Sequence, residues 1–218
     1  MHIRFLVEGT SDEKLLEVFL PKIIGNNGEI HSWRAHPHRG KGHIPENKLT
    51  LKPNNPTLLG QLPFILKGFG KSGGIDAVVI LIDTDTEDCR LFLHKMTAFV
   101  DKIAPRPKTL IRLAIEESEA WYLGDRAALQ IAFPEANLNK IKHYQQDSAC
   151  GTWELVADLC HPGGAQDVIR QGIGLSGQLK HEWAEKIGPH LDPSRNLSPS
   201  FQKFCSGLKR LVAEAEAV

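Results

Sequence analysis

The chain has 218 residues, with 26 Lys plus Arg against 26 Asp plus Glu, so its formal net charge is zero. Balanced charge excludes a polycation that coats nucleic acid without selectivity, and 41% hydrophobic residues exclude a disordered acidic tail. The length suits one large domain, or one domain with an elaborated half, and no run approaches the roughly 18 apolar residues of a membrane span.

Residues 2–7 (HIRFLV) are short, apolar and β-prone. Residues 11–24 carry Leu15, Leu16, Phe19, Leu20 and Ile23 at helical spacing. Thr10 or Ser11 is the expected cap, Glu13 suits the positive end, and Pro21 should kink or shorten the last turn. A strand is expected near 29–34 and a loop followed by a helix over 54–70. The stretch 77–82 (AVVILI) is apolar at every position, as a central strand covered on both faces requires. A helix over 91–103 and a strand over 109–113 follow. This β-α-β-α-β alternation implies a mostly parallel sheet with helices on its faces.

From about residue 116 the β-prone runs disappear, and helices are expected over 117–124, 126–133, 152–159, 179–187 and 199–217. The last is the clearest: Ser198 is a cap, Pro199 a good first residue, and Phe201, Phe204, Leu208, Leu211 and Ala215 make one apolar stripe. The expected architecture is an α/β core over 1–115 followed by a helical half over 116–218 packed on it, as two domains or one compact unit. The amino-terminal MHIRFLVEG lacks the longer apolar stretch and cleavage site of a signal peptide. Cys89, Cys150, Cys160 and Cys205 form no CxxC pair or disulfide framework, so a reducing cytoplasm is expected.

Two acidic signals sit just past strand ends, where open α/β sheets bind ligands. Glu8-Gly9-Thr10-Ser11-Asp12 follows the first strand, and Asp83-Thr84-Asp85 follows AVVILI. Residues i and i+2 of an extended chain share a face, so Asp83 and Asp85 are expected to point to one place. Carboxylates held close repel unless protons or a cation neutralise them, and Mg²⁺ takes such oxygen ligands. A third cluster is Glu116-Glu117-Ser118-Glu119. Glu119 lies near the end of the 109–113 strand and is expected either to close the acidic site or to be an exposed acid at a helix start. Glu116, Glu117, Glu87 and Asp88 read as solvated. Taken singly, an EG or a DxD is a turn. Both at successive strand ends point to an acidic metal site.

Glu8-Gly9 after the first strand and Asp83-x-Asp85 after a later apolar strand resemble the Toprim domain, shared by topoisomerases, bacterial primases and OLD-family nucleases. The EGTSDE start, the LIDTD strand end, Glu119-Ala120-Trp121 and the late Asn196-x-Ser198-Pro199-Ser200-Phe201 look more closely like a family of uncharacterised Toprim-related bacterial proteins. The Toprim resemblance covers roughly the first half and implies a Toprim-like fold. It implies a catalytic carboxylate at Glu8, as general acid/base or as a ligand to a second metal, and metal coordination by Asp83 and Asp85. Glu119 is a further ligand by similarity to the two-metal OLD nucleases, with Asp12 a second-shell or second-metal ligand. The implied cofactor is Mg²⁺ or Mn²⁺, as two ions. OLD proteins fuse an ATPase to this fold, but this chain has no GxxxxGK[ST] loop, so any ATPase would be a separate partner. By the same resemblance such a pair would serve anti-phage defence.

Between the two acidic motifs, residues 31–74 hold Arg34, Arg39, Lys41, Lys48, Lys52, Lys67 and Lys71 against one acid, Glu46. A basic rim beside an acidic metal centre suits phosphodiester chemistry, because cations hold phosphates while metals activate water. Arg39, Lys41 and Lys71 are therefore candidate nucleic-acid contacts, with Arg39–Gly42 a mobile loop, and Lys180 is a further phosphate contact. The alternative is a solvated loop with ordinary surface cations. His36, His38 and His43 match no zinc spacing, and Trp33 is either a base-stacking ring or core.

The leading expectation is a Mg²⁺- or Mn²⁺-dependent nuclease on DNA or RNA. The second is a metal- or nucleic-acid-binding subunit active only with a separate ATPase. A haloacid-dehalogenase-like phosphatase would carry its DxD on the first strand and leave Glu8-Gly9 unexplained, and no nucleotide-sugar signature supports a glycosyltransferase.

Overall fold

A computed structural model describes residues 1–45 and 54–216. The first half holds β1 (His2–Val7), α1 (Thr10–Phe19), α2 (Pro21–Ile24), β2 (Ser32–Pro37), α3 (Leu58–Ser72), β3 (Ala77–Asp83), α4 (Cys89–Asp101) and β4 (Lys108–Ala114). The second half is helical: α5 (Glu119–Gly124), α6 (Arg126–Ala132), α7 (Thr152–Cys160), α8 (Gly164–Gln171), α9 (Ile173–Ile187) and α10 (Pro199–Glu216), with short 3₁₀ turns between them. The fold is α/β: a four-stranded, all-parallel sheet flanked by helices, followed by a helical carboxyl-terminal half.

The strand order β2-β1-β3-β4 sets the position of the site. From β1 the chain steps outward to β2, then crosses to β3 on the other side of β1. The connections leave β1 and β3 in opposite directions, which opens a crevice above their carboxyl ends. β3 fills the role its composition predicts. Val78, Ile80 and Ile82 pack on one face, against α3 and α4 through Leu62, Leu66, Phe92 and Met96. Ala77, Val79 and Leu81 pack on the other, in a core that joins α1 to Trp121, Trp183, Phe201 and Phe204 of the helical half. This second core runs across residue 115 without a break. Among the described residues no helix is long and apolar enough to cross a membrane.

Several boundaries differ from expectation for local reasons. Pro21 lacks an amide hydrogen, so the 11–24 helix is divided at Leu20 into α1 and α2. Gly9, not Thr10 or Ser11, caps α1, and the Asp12 carboxylate reaches back to the Gly9 amide at 3.1 Å. The strand expected near 29–34 starts at Ser32. Asn27 brackets Trp33 by hydrogen bonds to its N–H and C=O, both 2.9 Å, and holds the preceding residues in a turn. Helix α9 starts at Ile173, six residues before its expected start, and α8 was not foreseen. Gly163, Gly164 and Gly172 border that helix, and Asp158 accepts the Ala165 amide at 2.7 Å and holds its start.

Candidate functional site

Six carboxylates line one cleft of about 400 Å³ above β1 and β3: Glu8, Asp12, Asp83, Asp85, Glu117 and Glu119. Glu8 stands one residue past β1, and its Oε1 accepts the Asp83 backbone amide at 2.8 Å, tying the two strand tips together. Asp12 is only 6% exposed; besides the Gly9 amide it accepts the Ser118 hydroxyl at 2.9 Å. Ser118 and Glu119 open α5, and Glu119 is 2% exposed. Lys180 of α9 enters from the helical half, its Nζ 3.0 Å from Glu117 Oε1 and 3.5 Å from Glu119 Oε2. That lysine is placed by α9 packing on α1, the helix that carries Asp12.

The electrostatics follow from burial and crowding. Burial pushes Glu8 up to about 8, with Asp12 adding repulsion and the Asp83 amide and Lys41 opposing it. Asp83 is raised well above the usual carboxylate range by burial, then by Asp12, Glu8 and Glu119. Burial likewise raises Asp12 and Glu119, and with Glu119 beside it pushes Glu117 up to about 7. The acids around Lys180 outweigh its own burial and hold its ammonium charged. So many acids around one lysine are neutral at pH 7 only by keeping protons or by taking a cation.

Among the described residues no three His, Cys, Asp or Glu side chains are arranged to hold a metal ion. Four of the acids have a protein partner instead: Glu8 the Asp83 amide, Asp12 the Gly9 amide and Ser118, and Glu117 and Glu119 the Lys180 ammonium. The donor set is nevertheless oxygen-rich, the chemistry that Mg²⁺ and Mn²⁺ favour. Glu117 Oε2 is also buried with no hydrogen-bond partner, an unfilled acceptor at the cleft.

Asp83 and Asp85 both line this cleft, but not by sharing a face of an extended chain. The strand ends at Asp83, Thr84 is buried, and Asp85 turns out with φ +49°, so the extended-chain rule stops applying. Asp85 lies on the cleft rim, 2.5 Å from Lys41 Nζ, which also reaches Glu87 at 3.2 Å and the Asp83 carbonyl at 3.1 Å. Lys41 is thus beside the acidic site, but its charge is engaged. Arg39 is exposed on the same loop. That loop is pinned, not free: the Gly40 amide donates to Glu8 O, and the Leu58 and Leu59 amides to Gly40 O and Lys41 O. Lys71 is at the wrong end. It sits in the last turn of α3, just before β3 begins, about 20 Å down the sheet from the strand tips. Lys48 and Lys52 lie outside the described residues.

Glu117 is not solvated; it faces the cleft. Glu116 is occupied elsewhere, accepting the amides of Cys150, Gly151 and Thr152 at the start of α7. Asp88 caps α4 through the Arg90 and Leu91 amides, and Glu87 pairs with Lys41. Trp33 is core, 8% exposed. His38 lines the acidic cleft with Nδ1 3.0 Å from the Val7 carbonyl, whereas His43 lines a different cavity against α4, so the three histidines do not meet. The late Asn196–Phe201 motif is structural. Asn196 Nδ2 donates to the Trp121 carbonyl at 2.8 Å, Ser200 Oγ accepts the Trp121 indole N–H at 2.9 Å, and the Ser198 hydroxyl caps α10 at the Phe201 amide.

A family model described as Domain of unknown function (DUF4276) matches residues 7–209. The chain belongs to the DUF4276 family. No curated protein and no solved structure matches it. The DUF4276 match spans every residue of the cleft, from Glu8 to Lys180, so the carboxylates of the α/β half and the lysine of the helical half fall within one family unit. In the sequence Glu117 reads as solvated, and Lys180 as a phosphate contact and not as an ion-pair partner of the acids. Glu117 had a signal, an acid three positions past the end of β4, as Glu8 and Asp83 stand at the ends of β1 and β3. Lys180 carried no local mark of its ion pairs, because only the packing of α9 brings it to the acids.

Proposed function

We propose that this DUF4276 protein hydrolyses phosphodiester bonds in nucleic acid with Mg²⁺ or Mn²⁺. The observation that carries this reading is the convergence of six carboxylates at the crevice between β1 and β3. The resemblance of Glu8-Gly9 and Asp83-x-Asp85 to the Toprim domain supports it. In this reading Asp12, Asp83, Glu117 and Glu119 supply ligands for one or two ions, with Asp85 at the rim and Glu8 beside them. The bound metal would polarise the phosphate and make its coordinated water a nucleophile near neutral pH.

The chain's own groups do the rest. Glu8, pushed up to about 8, retains its proton at pH 7 and delivers it to the leaving oxygen as the phosphorus–oxygen bond breaks. Lys180 faces the same cleft and offers a fixed positive charge to the phosphoryl oxygens. Arg39 and Lys41 at the rim attract the flanking phosphates. The four free cysteines agree with action in a reducing cytoplasm.

One observation favours a second reading. The ammonium groups of Lys180 and Lys41 already hold Glu117, Glu119 and Asp85, a resting arrangement that a partner must open. A separately encoded ATPase, as in OLD proteins, is that partner. Both readings are tested by incubating wild type, Asp83→Ala and Glu8→Gln with supercoiled plasmid and single-stranded DNA or RNA, in Mg²⁺, Mn²⁺ or EDTA. Cleavage by wild type alone, abolished by EDTA, is expected. Equal cleavage by all three proteins refutes the site. No cleavage by a folded protein that binds Mn²⁺ calorimetrically leaves the partner-dependent reading.

A further inference from the structure

We propose that a groove along the free edge of the sheet docks an extended, acidic and apolar segment of a partner protein. β4 is an edge strand, with α4 forming one wall beside it and α10 the other. The groove between them is about 550 Å³. Its floor is Ile111, Leu113 and Ile115, and Leu93 of α4 leans over it, 40% exposed. The Thr84 amide donates to the Ala114 carbonyl, so that carbonyl faces β3. Strand alternation then turns the backbone groups of Ile111 and Leu113 outward, toward the groove.

The walls are cationic. Arg90 stands on the α4 side, and Arg112, Lys203 and Arg210 on the α10 side. The one acid among the lining residues is Asp147, and its carboxylate is taken by the Ser198 hydroxyl and the Ser200 amide, both at 2.6 Å. Glu214, 3.7 Å from Arg210 Nε, is shared with Lys108. Arg112 is held in place: its Nε donates to the Lys203 carbonyl at 2.9 Å and its Nη1 to the Ile111 carbonyl at 2.8 Å. A Cβ at Gly207 would fall 2.0 Å from the guanidinium, so glycine there makes room for it. Burial and neighbouring Arg210 hold Arg112 below its ordinary range, the mark of a cation cluster short of anions.

An acidic partner relieves that repulsion, and a leucine–isoleucine floor takes apolar side chains. Among the described residues no aromatic ring lines the groove, so a nucleic-acid strand finds no stacking platform in them. An extended peptide whose apolar residues alternate with Asp or Glu matches both surfaces, presenting one set to the floor and the other to the walls.

The test is a display library of random 12-residue peptides selected on the full chain. Enriched peptides are then measured by fluorescence anisotropy against wild type and charge-reversed variants. Acidic peptides with Leu, Ile, Val or Phe are expected. The double variant Arg90→Glu, Lys203→Glu, both exposed positions, should weaken them at least tenfold, Leu93→Ser several-fold, and Arg34→Glu on the opposite edge strand not at all. The proposal is overturned by no enrichment, by enrichment of neutral or basic peptides, or by undiminished binding to the double variant. It is also overturned if a labelled 20-nucleotide single strand, and no peptide, loses binding through the same substitutions.

Discussion

Glu8→Gln should stabilise the metal-free protein, and do so increasingly as pH rises. The Glu8 carboxyl moves from an ordinary value of 4.5 to about 8 on folding. The folded state therefore binds the extra proton between those two values, and stability is lost as pH climbs from 4.5 toward 8. A shift of that size corresponds to roughly 5 kcal/mol at 1.36 kcal/mol per pH unit, of which about 3.5 kcal/mol is lost between pH 5 and pH 8. Glu8 titrates together with Asp12 and Asp83, so release of one proton helps its neighbours keep theirs. About 2 kcal/mol is the expected share.

Gln keeps an oxygen for the Asp83 amide and carries no charge, so its contribution is independent of pH. For a chain of this size the difference corresponds to a melting temperature gap that widens by about 4–8 °C from pH 5 to pH 8. Burial lowers His36 and His38, which acts in the opposite sense by costing stability on the acid side. Both proteins keep those histidines, so the gap between them isolates Glu8. Differential scanning fluorimetry in EDTA across pH 5–8.5 measures it. A gap that stays constant or narrows refutes the assignment of a buried, proton-holding Glu8.

Lys180→Met removes the ammonium between Glu117 and Glu119 and leaves buried acids unpaired. The cost by urea unfolding should be about 3 kcal/mol at pH 7.5 and clearly smaller at pH 5, where the acids protonate; equal costs would contradict the ion pairs. Gly124→Ala places a Cβ 2.3 Å from Asn196 Oδ1 and 3.0 Å from the Ser198 amide, so it should cost about 2 kcal/mol in the same assay. Asp88→Ala loses the α4 cap at Arg90 and Leu91 and should cost about 1 kcal/mol, without changing Mn²⁺ affinity by calorimetry.

Periodicity and breakers carried most of the α/β half. AVVILI marked the central strand because both its faces are covered, and Pro21 marked the break in the first helix because its nitrogen cannot donate. Strand-end position carried Glu8, Asp12, Asp83 and Glu119 to one cleft. Asp85 lines it too, but not by that logic. Its direction depends on a left-handed residue at the strand exit, where the Asp85 amide donates to the Glu116 carbonyl. Net charge along the chain was a poorer guide. Lys41 and Lys71 belong to one basic stretch, yet α3 carries them to opposite ends of the sheet. The Asn196–Phe201 motif was visible as a pattern but its purpose was not, because its partner Trp121 lies about 75 positions away.

The cleft belongs to neither half alone. The first half contributes Glu8, Asp12, Asp83 and Asp85, and the second Glu117, Glu119 and Lys180. The two sets are joined at Asp12, which takes a hydroxyl from Ser118 while its helix packs on α9. Among the described residues Lys180 is the one cation lining this ring, and it sits on the helical side of it, against Glu117 and Glu119. Glu8 and Asp83, on the sheet side, have no cation of their own beyond the distant pull of Lys41 and Lys180. An entering divalent ion therefore gains most at the Glu8–Asp83 side, where it displaces protons and meets no ammonium. On the Glu117–Glu119 side it must first displace an ammonium. The two sides differ in the protons they release as well as in affinity, so Mn²⁺ titrations at pH 6 and pH 8 should resolve one tight, proton-releasing event before any second.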